Sequence, residues 1–310
     1  RVVMQAMGTR NAKIGAQTDA GLSFKAELKN RGATNNVPEL DEVWKTLFGT
    51  RTLDSISTTI SAGSTSTSLV VVSGAGSTNG NAVAVETGTG TGVYETTWIT
   101  SGGGTGTLVV APALSFTPTT GVNVKSSLTF AVADTGHQAL SFQDYLNATD
   151  VIKYVGCRGN VTIDAPQAGA IPMAAFDWKA WNWAQSEAGT RPSSTFDTGL
   201  PPVALACKWK LAGTLTDIRS FQVNLGNEIG RKMSQNSTLG CYGTPVVNRK
   251  TAGSFSIHDP AAITQFTNWL ANTQFTMSGQ FGNTLNNTVA MYFPYAERTN
   301  VAYGNDAGVT

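Results

Sequence analysis

Residues 215–257 carry the clearest hydrophobic pattern of the chain. Arg219, Phe221, Val223 and Leu225 fall on one face of an alternating run, and Ile218, Ser220, Gln222 and Asn224 on the other. A period of two is that of a strand with one dry and one wet face. The turn pair Gly226-Asn227 ends this limb. The chain then returns through Val246, Val247, Phe255 and Ile257, with Arg249-Lys250 opening a second bend inside the return. A long arm of this kind leaves an unpaired edge that is an aggregation hazard in a solitary globule. It suits a protein that pairs with copies of itself.

Elsewhere the same alternation recurs. Leu22, Phe24, Ala26 and Leu28 interleave with Ser23, Lys25, Glu27 and Lys29, which predicts another strand. The segment PELDEVWKTLFG (38–49) predicts a helix. Pro38 suits its first position, Glu39, Asp41 and Glu42 suit the positive end of its dipole, and Gly49 suits its stop. Its apolar stripe is Leu40, Val43, Trp44 and Leu47, and about three turns are too few to stand alone, so the stripe must dock on a sheet. A second helix is expected after Asp259-Pro260, with Ile263, Phe266, Trp269 and Leu270 as its stripe and Phe266 and Trp269 as docking residues. Pro201–Leu211 reads as a strand opened by two prolines. In AAFDWKAWNWA, Phe176 and Trp178 share one face while Trp181 and Trp183 point the other way, so both faces should be covered. Residues 1–20 are weakly patterned and read as an arm ordered on assembly.

Composition shifts abruptly between Ser57 and Val124. Gly, Ser and Thr dominate there, and Glu86 and Glu95 are the only charges. Short apolar runs such as Leu69–Val72, Val83–Val85 and Leu108–Val110 recur between turn clusters. Regular spacing of that kind predicts a small all-β insert of four to six strands rather than a linker.

Charge and chemistry narrow the function classes. Charged residues are 13% of the chain and the net charge is +1, with no basic patch of the sort a nucleic-acid or membrane-surface binder carries. Lys208/Lys210, Arg231-Lys232 and Arg249-Lys250 are only pairs, best read as solvated strand faces and turns. Cys157, Cys207 and Cys241 have no metal-ligand or disulfide spacing and read as small buried side chains. The runs GTGTGV and SGGGTG fit neither a dinucleotide nor a P-loop pattern, and His137 and His258 sit in no ligand cluster. No apolar run approaches the roughly 18 residues of a membrane helix, and the N-terminal residues lack the apolar block of a signal peptide. The expectation is a soluble, mainly β protein without cofactor or metal, and not an enzyme.

Five stretches, in this order, resemble the tail tube (major tail) proteins of long-tailed bacteriophages. They are SFKAELKNRG followed by PELDEVWKTLFG, then GCRGNVTIDAPQAGAIPMAAFDW, FDTGLPPVALACKWKL, and SFQVNLGNEIG with VVNRKTAGSFSIHDPAAITQFTNWL. The resemblance covers most of the chain outside 1–20, 57–125 and the tail. It implies a β-sandwich or incomplete barrel flanked by one or two short helices, related in fold to the type VI secretion tube protein. The tube domain would comprise 1–56 and 126–310, with 57–125 an outward insertion domain. Six-fold rings, or trimeric rings of two fused tube-like units, would stack into a tube that DNA traverses in the virion after synthesis in the host cytoplasm. True hexamers are the preferred reading, since the halves share no obvious repeat. The tape measure protein and other tail proteins are implied partners. Arg219, Phe221, Val223, Leu225, Asn227, Arg249 and Lys250 are the candidate assembly residues, and Ser220, Gln222 and Asn224 the candidate lumen lining. Alternatives are another ring-forming component, a distal tail or tube terminator protein, and a carbohydrate-binding β-module that uses Trp181 and Trp183.

Overall fold

The computed structural model describes residues 20–29, 38–146, 150–186, 193, 199–237, 240–258 and 262–302. The expected N-terminal arm and the Asp259-Pro260 helix start lie outside them. In chain order, β1 (Ala20–Glu27), α1 (Asp41–Phe48) and β2 (Gly49–Leu53) come first. They are followed by β3 (Ser57–Thr59), β4 (Ser68–Val70), β5 (Ala82–Glu86), β6 (Tyr94–Ser101), β7 (Thr107–Ala111) and β8 (Asn123–Ser126). Next are β9 (Leu128–Val132), β10 (Leu140–Tyr145), β11 (Val151–Ala165), β12 (Met173–Ala180) and β13 (Asn182–Ser186). Then come β14 (Lys208–Leu211), β15 (Thr214–Leu215), β16 (Ile218–Asn224), β17 (Asn227–Ile229), β18 (Val246–Arg249) and β19 (Ala252–Ile257). The described chain closes with α2 (Ala262–Leu270), β20 (Phe275–Thr284) and β21 (Asn287–Ala296). The protein is mainly β, with a sheet curled into a half-barrel.

One hairpin organises the first sheet. β11 pairs with β12 from Asp164↔Met173 to Arg158↔Lys179 and continues onto β13 as far as Val151↔Ser186, with no slip of register. β1 adds to the free side of β12, β16 to the turn end of β11, and β19 to β16, which gives the order β1-β12-β11-β16-β19. At the other end of β11, β10 takes the side that β16 occupies. Alternation along these strands puts Phe24, Phe176, Trp178, Val161, Phe221 and Val223 on one face. That face is the core.

Two layers cover it. α1 lays Val43 and the fully buried Leu47 on the sheet, and the Trp44 ring meets Phe176 edge-on at 5.1 Å. Gly49, at φ 99°, ends the helix and returns its N–H to the Lys45 carbonyl. Beside α1, the sheet β15-β14-β20-β21 packs through Trp209, whose ring lies 4.5 Å from Phe221 and 5.5 Å from Phe281. These contacts make a β-sandwich.

One sequence expectation needs correction here. Pro201–Leu211 is a strand only from Lys208, because Pro201 and Pro202 have no N–H to offer a ladder and Ala206 sits at φ 49°. Of the α2 stripe, Phe266 is 37% and Leu270 65% exposed. The Phe266 and Trp269 rings pack on one another at 5.2 Å, outside the core.

Residues 56–126 build a separate six-stranded sheet, order β3-β8-β5-β6-β7-β4. The Ile60↔Val71 bridge and the bond from Ser61 N–H to the Val70 carbonyl join β4 back to β3. Closure of this kind removes the free edges. Leu69, Val83, Val85, Ile99, Leu108 and Val124 fill its interior, and no residue of that core belongs to the sandwich core. The chain enters and leaves this unit through the two-stranded ribbon β2-β9. The unit also lies on the outer face of β14-β20-β21. Trp209 and Phe281 point to the sandwich core, so the alternating Lys208, Lys210, Ser278 and Gln280 point the other way, toward the insert. Lys210 is therefore only 5% exposed, not the solvated strand residue its sequence context suggests.

Candidate assembly face

β16 is the inner strand of an open sheet end. Phe221, Val223 and Leu225 are buried in the core, and Gln222 between them is exposed. The register shifts between Ile218↔Ile257 and Ser220↔Ser256, so Arg219 is the extra residue of a β-bulge. Its exposed side chain is not on the dry face with Phe221, and Ile218 packs on the core instead. Simple alternation cannot foresee a bulge.

On the polar face the strands line up in rows. Ser23, Asp177 and Asn160 form one; Lys25, Ala175, Thr162, Asn224 and Ala252 the next; Glu27, Met173, Asp164, Gln222 and Ser254 a third. Asn224 knits two strands together. Its Oδ1 accepts from Asn160 Nδ2 at 2.8 Å, and its Nδ2 donates to Thr162 Oγ1 at 2.9 Å. Ser220 borders Ser256 at the far end. Lys25 and Lys179 are the cations of this face and Glu27, Asp177 and Asp164 the anions. Arg158, opposite Lys179, is taken up by the carbonyls of His137 (2.8 Å) and Thr244 (3.4 Å). Arg158 keeps its charge in these bonds, so three cations stand against three carboxylates in these rows, which carry no excess positive charge. Among the described residues, β1 and β19 have no further strand at their outer edges.

The remaining candidates divide. Asn227 is buried, and its Nδ2 donates to the carbonyls of Leu47 and Gly159, each at 3.1 Å. Arg249 turns inward to Asn227 Oδ1 (2.6 Å) and to the carbonyls of Ala133 (3.1 Å) and Leu47 (3.3 Å). Burial holds its guanidinium below the usual arginine range. Neither reaches out toward a neighbour. Both instead satisfy the open carbonyl end of α1, where a cation also complements the helix dipole. Lys250 is exposed, and its backbone N–H bonds to the Gly226 carbonyl at 2.9 Å. Gly226 must be glycine, since at φ 72° a Cβ there would overlap the Lys250 carbonyl. Of the aromatic pair, the Trp181 indole donates to the Cys241 carbonyl at 2.7 Å, and Trp183 is 41% exposed.

At the turn end of the β11–β12 hairpin, a half-open cavity of about 250 Å³ lies between the two sheets of the sandwich. Trp209, Phe221 and Phe281 line it together with Gln167, Asp217 and Arg219. Exposed Ile171, Val203, Leu205 and Leu215 belong to the same end. Sequence reading missed this patch because its residues come from three separate loops. Compared with models of known families and with characterised proteins, the chain matches none of them.

Proposed function

We propose that this chain is a structural, self-assembling subunit of a phage tail tube, and not an enzyme. Copies would close into a ring by setting the β1 edge of one against the β19 edge of the next, and rings would stack. The observation that carries the reading is the polar sheet face. Among the described residues its outer strands β1 and β19 have no further strand beside them, and it lies on the opposite side of the sandwich from the insert. A ring closed through those edges places that face on the bore and the insert on the outside, where it blocks nothing. The edge-to-edge contact is heterologous, so it can close a ring or repeat without limit, and it satisfies backbone groups that otherwise attract wrong partners.

The chemistry of the face fits a channel for DNA. Lysine and arginine contacts to phosphate add affinity through counterion release, so a basic wall would hold the polymer back. Lys25, Lys179 and Arg158 are matched by Glu27, Asp177 and Asp164, and β16 and β19 offer Ser220, Gln222, Asn224, Ser254 and Ser256, with Arg219 exposed at the bulge. A tape measure protein would occupy the same bore before DNA does. Negative-stain electron microscopy of the purified protein tests the reading. Hollow filaments of uniform diameter are expected; discs that never stack would point to a tube terminator, and a strictly monomeric protein at high concentration would overturn it.

A further inference from the structure

Glu95 is 2% exposed and sits between two lysines of another layer. Its Oε2 lies 2.5 Å from Lys208 Nζ and its Oε1 2.6 Å from Lys210 Nζ. Ser115 N–H donates to Oε1 at 2.8 Å, the Ser115 hydroxyl donates to Oε2, and Lys210 also reaches the Ala113 carbonyl. Every acceptor site of the carboxylate is used. Beside it, Gln280 imitates a strand: its Oε1 accepts from Thr96 N–H at 2.7 Å and its Nε2 donates to the Tyr94 carbonyl at 2.8 Å. Trp98 stacks on Tyr292 at 5.1 Å, and Val93 bridges Thr284.

We propose that residues 57–126 are a hinged module, pivoting on the β2-β9 ribbon and held against the sandwich by a salt-linked latch of Glu95 with Lys208 and Lys210. Three observations converge on it. The module has a closed barrel and a core of its own, so it does not need the sandwich to stay folded. Its covalent connection is a two-stranded ribbon, an element with little stiffness by itself. Asp54 and Thr129 tie the ribbon end to the module itself through Thr78, Asn81 and Ala82. Among the described residues, the polar contacts between the module and the β14-β20-β21 sheet converge on one small patch, and the charged ones there depend on Glu95. Buried ion pairs contribute little net stability, yet removal of one partner leaves the other charge stranded. A latch built this way is firm when complete and fails abruptly when neutralised. The inference concerns the molecule alone and stands whether or not copies assemble.

Residue-resolved hydrogen exchange on the whole protein and on Glu95→Gln tests it. The Thr96 amide, whose acceptor is Gln280, should exchange at least tenfold faster in the variant. Amides at Val83 and Val85 in the module and at Phe176 and Trp178 in the sandwich should keep their protection. Unchanged exchange at Thr96 would show that charge does not hold the contact. Faster exchange everywhere at once would show that module and sandwich fold as one body without a pivot. Should Glu95→Gln yield no folded protein, Lys208→Met, which removes one arm of the latch at a side chain still 26% exposed, is read by the same criteria.

Discussion

Arg249 Nε donates to Asn227 Oδ1 at 2.6 Å, and both side chains go on to the Leu47 carbonyl at the end of α1. Two residues 22 apart on a turned-back ribbon thus close a helix that lies some 180 residues earlier in the chain. The helix docks Trp44 and Leu47 on the sheet, so the clamp secures the core from outside it.

Arg249→Ala should therefore lower the stability of the isolated subunit by about 2–3 kcal/mol, the scale of losing hydrogen bonds from a charged donor to partly buried acceptors. Arg249→Lys should recover little of this, because one ammonium cannot serve Asn227, Ala133 and Leu47 together. Urea unfolding of monomeric protein checks both. Loss of assembly in these variants would follow from a loosened α1 and would not make Arg249 an interface residue. A stability change under 0.5 kcal/mol would remove the clamp from the account.

Acid should open the insert contact only below the ordinary carboxylate range. Burial alone would push the Glu95 carboxyl up, but hydrogen bonds from Lys208, Lys210 and Ser115 outweigh it and hold the group below its ordinary value. A carboxylate depressed in the folded state contributes stability that is fully present above its unfolded value, about 4.3, and is lost as pH falls through the folded one. The Trp98–Tyr292 contact should thus be flat from about pH 8 to 5 and open only in stronger acid. Trp98 fluorescence, with Tyr292→Phe as control, reports it. A transition centred near neutrality would contradict the assignment.

How much of this was readable from residues alone depended on the range of the pattern. The alternation of Leu22 to Leu28 and of Phe221 to Leu225, and the stripe Val43–Trp44–Leu47, report burial by a neighbouring layer, and local period is enough to see that. What escaped were features set by chain segments far apart in sequence. Lys208 and Lys210 look like solvated residues until the insert is laid over them. The one hint was that Glu95 is a charge in a stretch almost free of charges. Arg219 is displaced by a bulge that only the pairing of β16 with β19 reveals. Phe266 and Leu270 follow an apolar period that is real, yet 37% and 65% of their surface is exposed.

The thiols offer a test of packing that is independent of assembly. Cys157 is fully buried, and desolvation raises its thiol to about 11; Cys207 is raised to about 11 for the same reason. At pH 8 each would be thiolate in roughly one molecule per thousand, and the thiolate is the reactive form. Native protein should react with a thiol reagent such as DTNB at least a hundredfold slower than the same protein in guanidinium. Rapid reaction of one native thiol would show a looser sandwich at that position.

The polar face can be probed at Gln222. Gln222 is exposed between two core residues, in a row that also holds Glu27, Asp164 and Ser254. Gln222→Lys lengthens an exposed side chain by one atom and disturbs no core contact, so monomer stability should change by no more than about 0.5 kcal/mol. Phe221→Asp, one position away, places a charge in a site only 4% exposed and should prevent folding rather than merely assembly. If the face lines a bore, each Gln222→Lys copy adds a cation to the wall. Assembled variant tubes should then retain short duplex DNA at low salt and release it as salt rises, with a steeper salt dependence than wild type. Co-sedimentation over a salt series measures this. Variant tubes that form normally and retain no more DNA than wild type would place Gln222 on the outside and turn the proposed ring inside out.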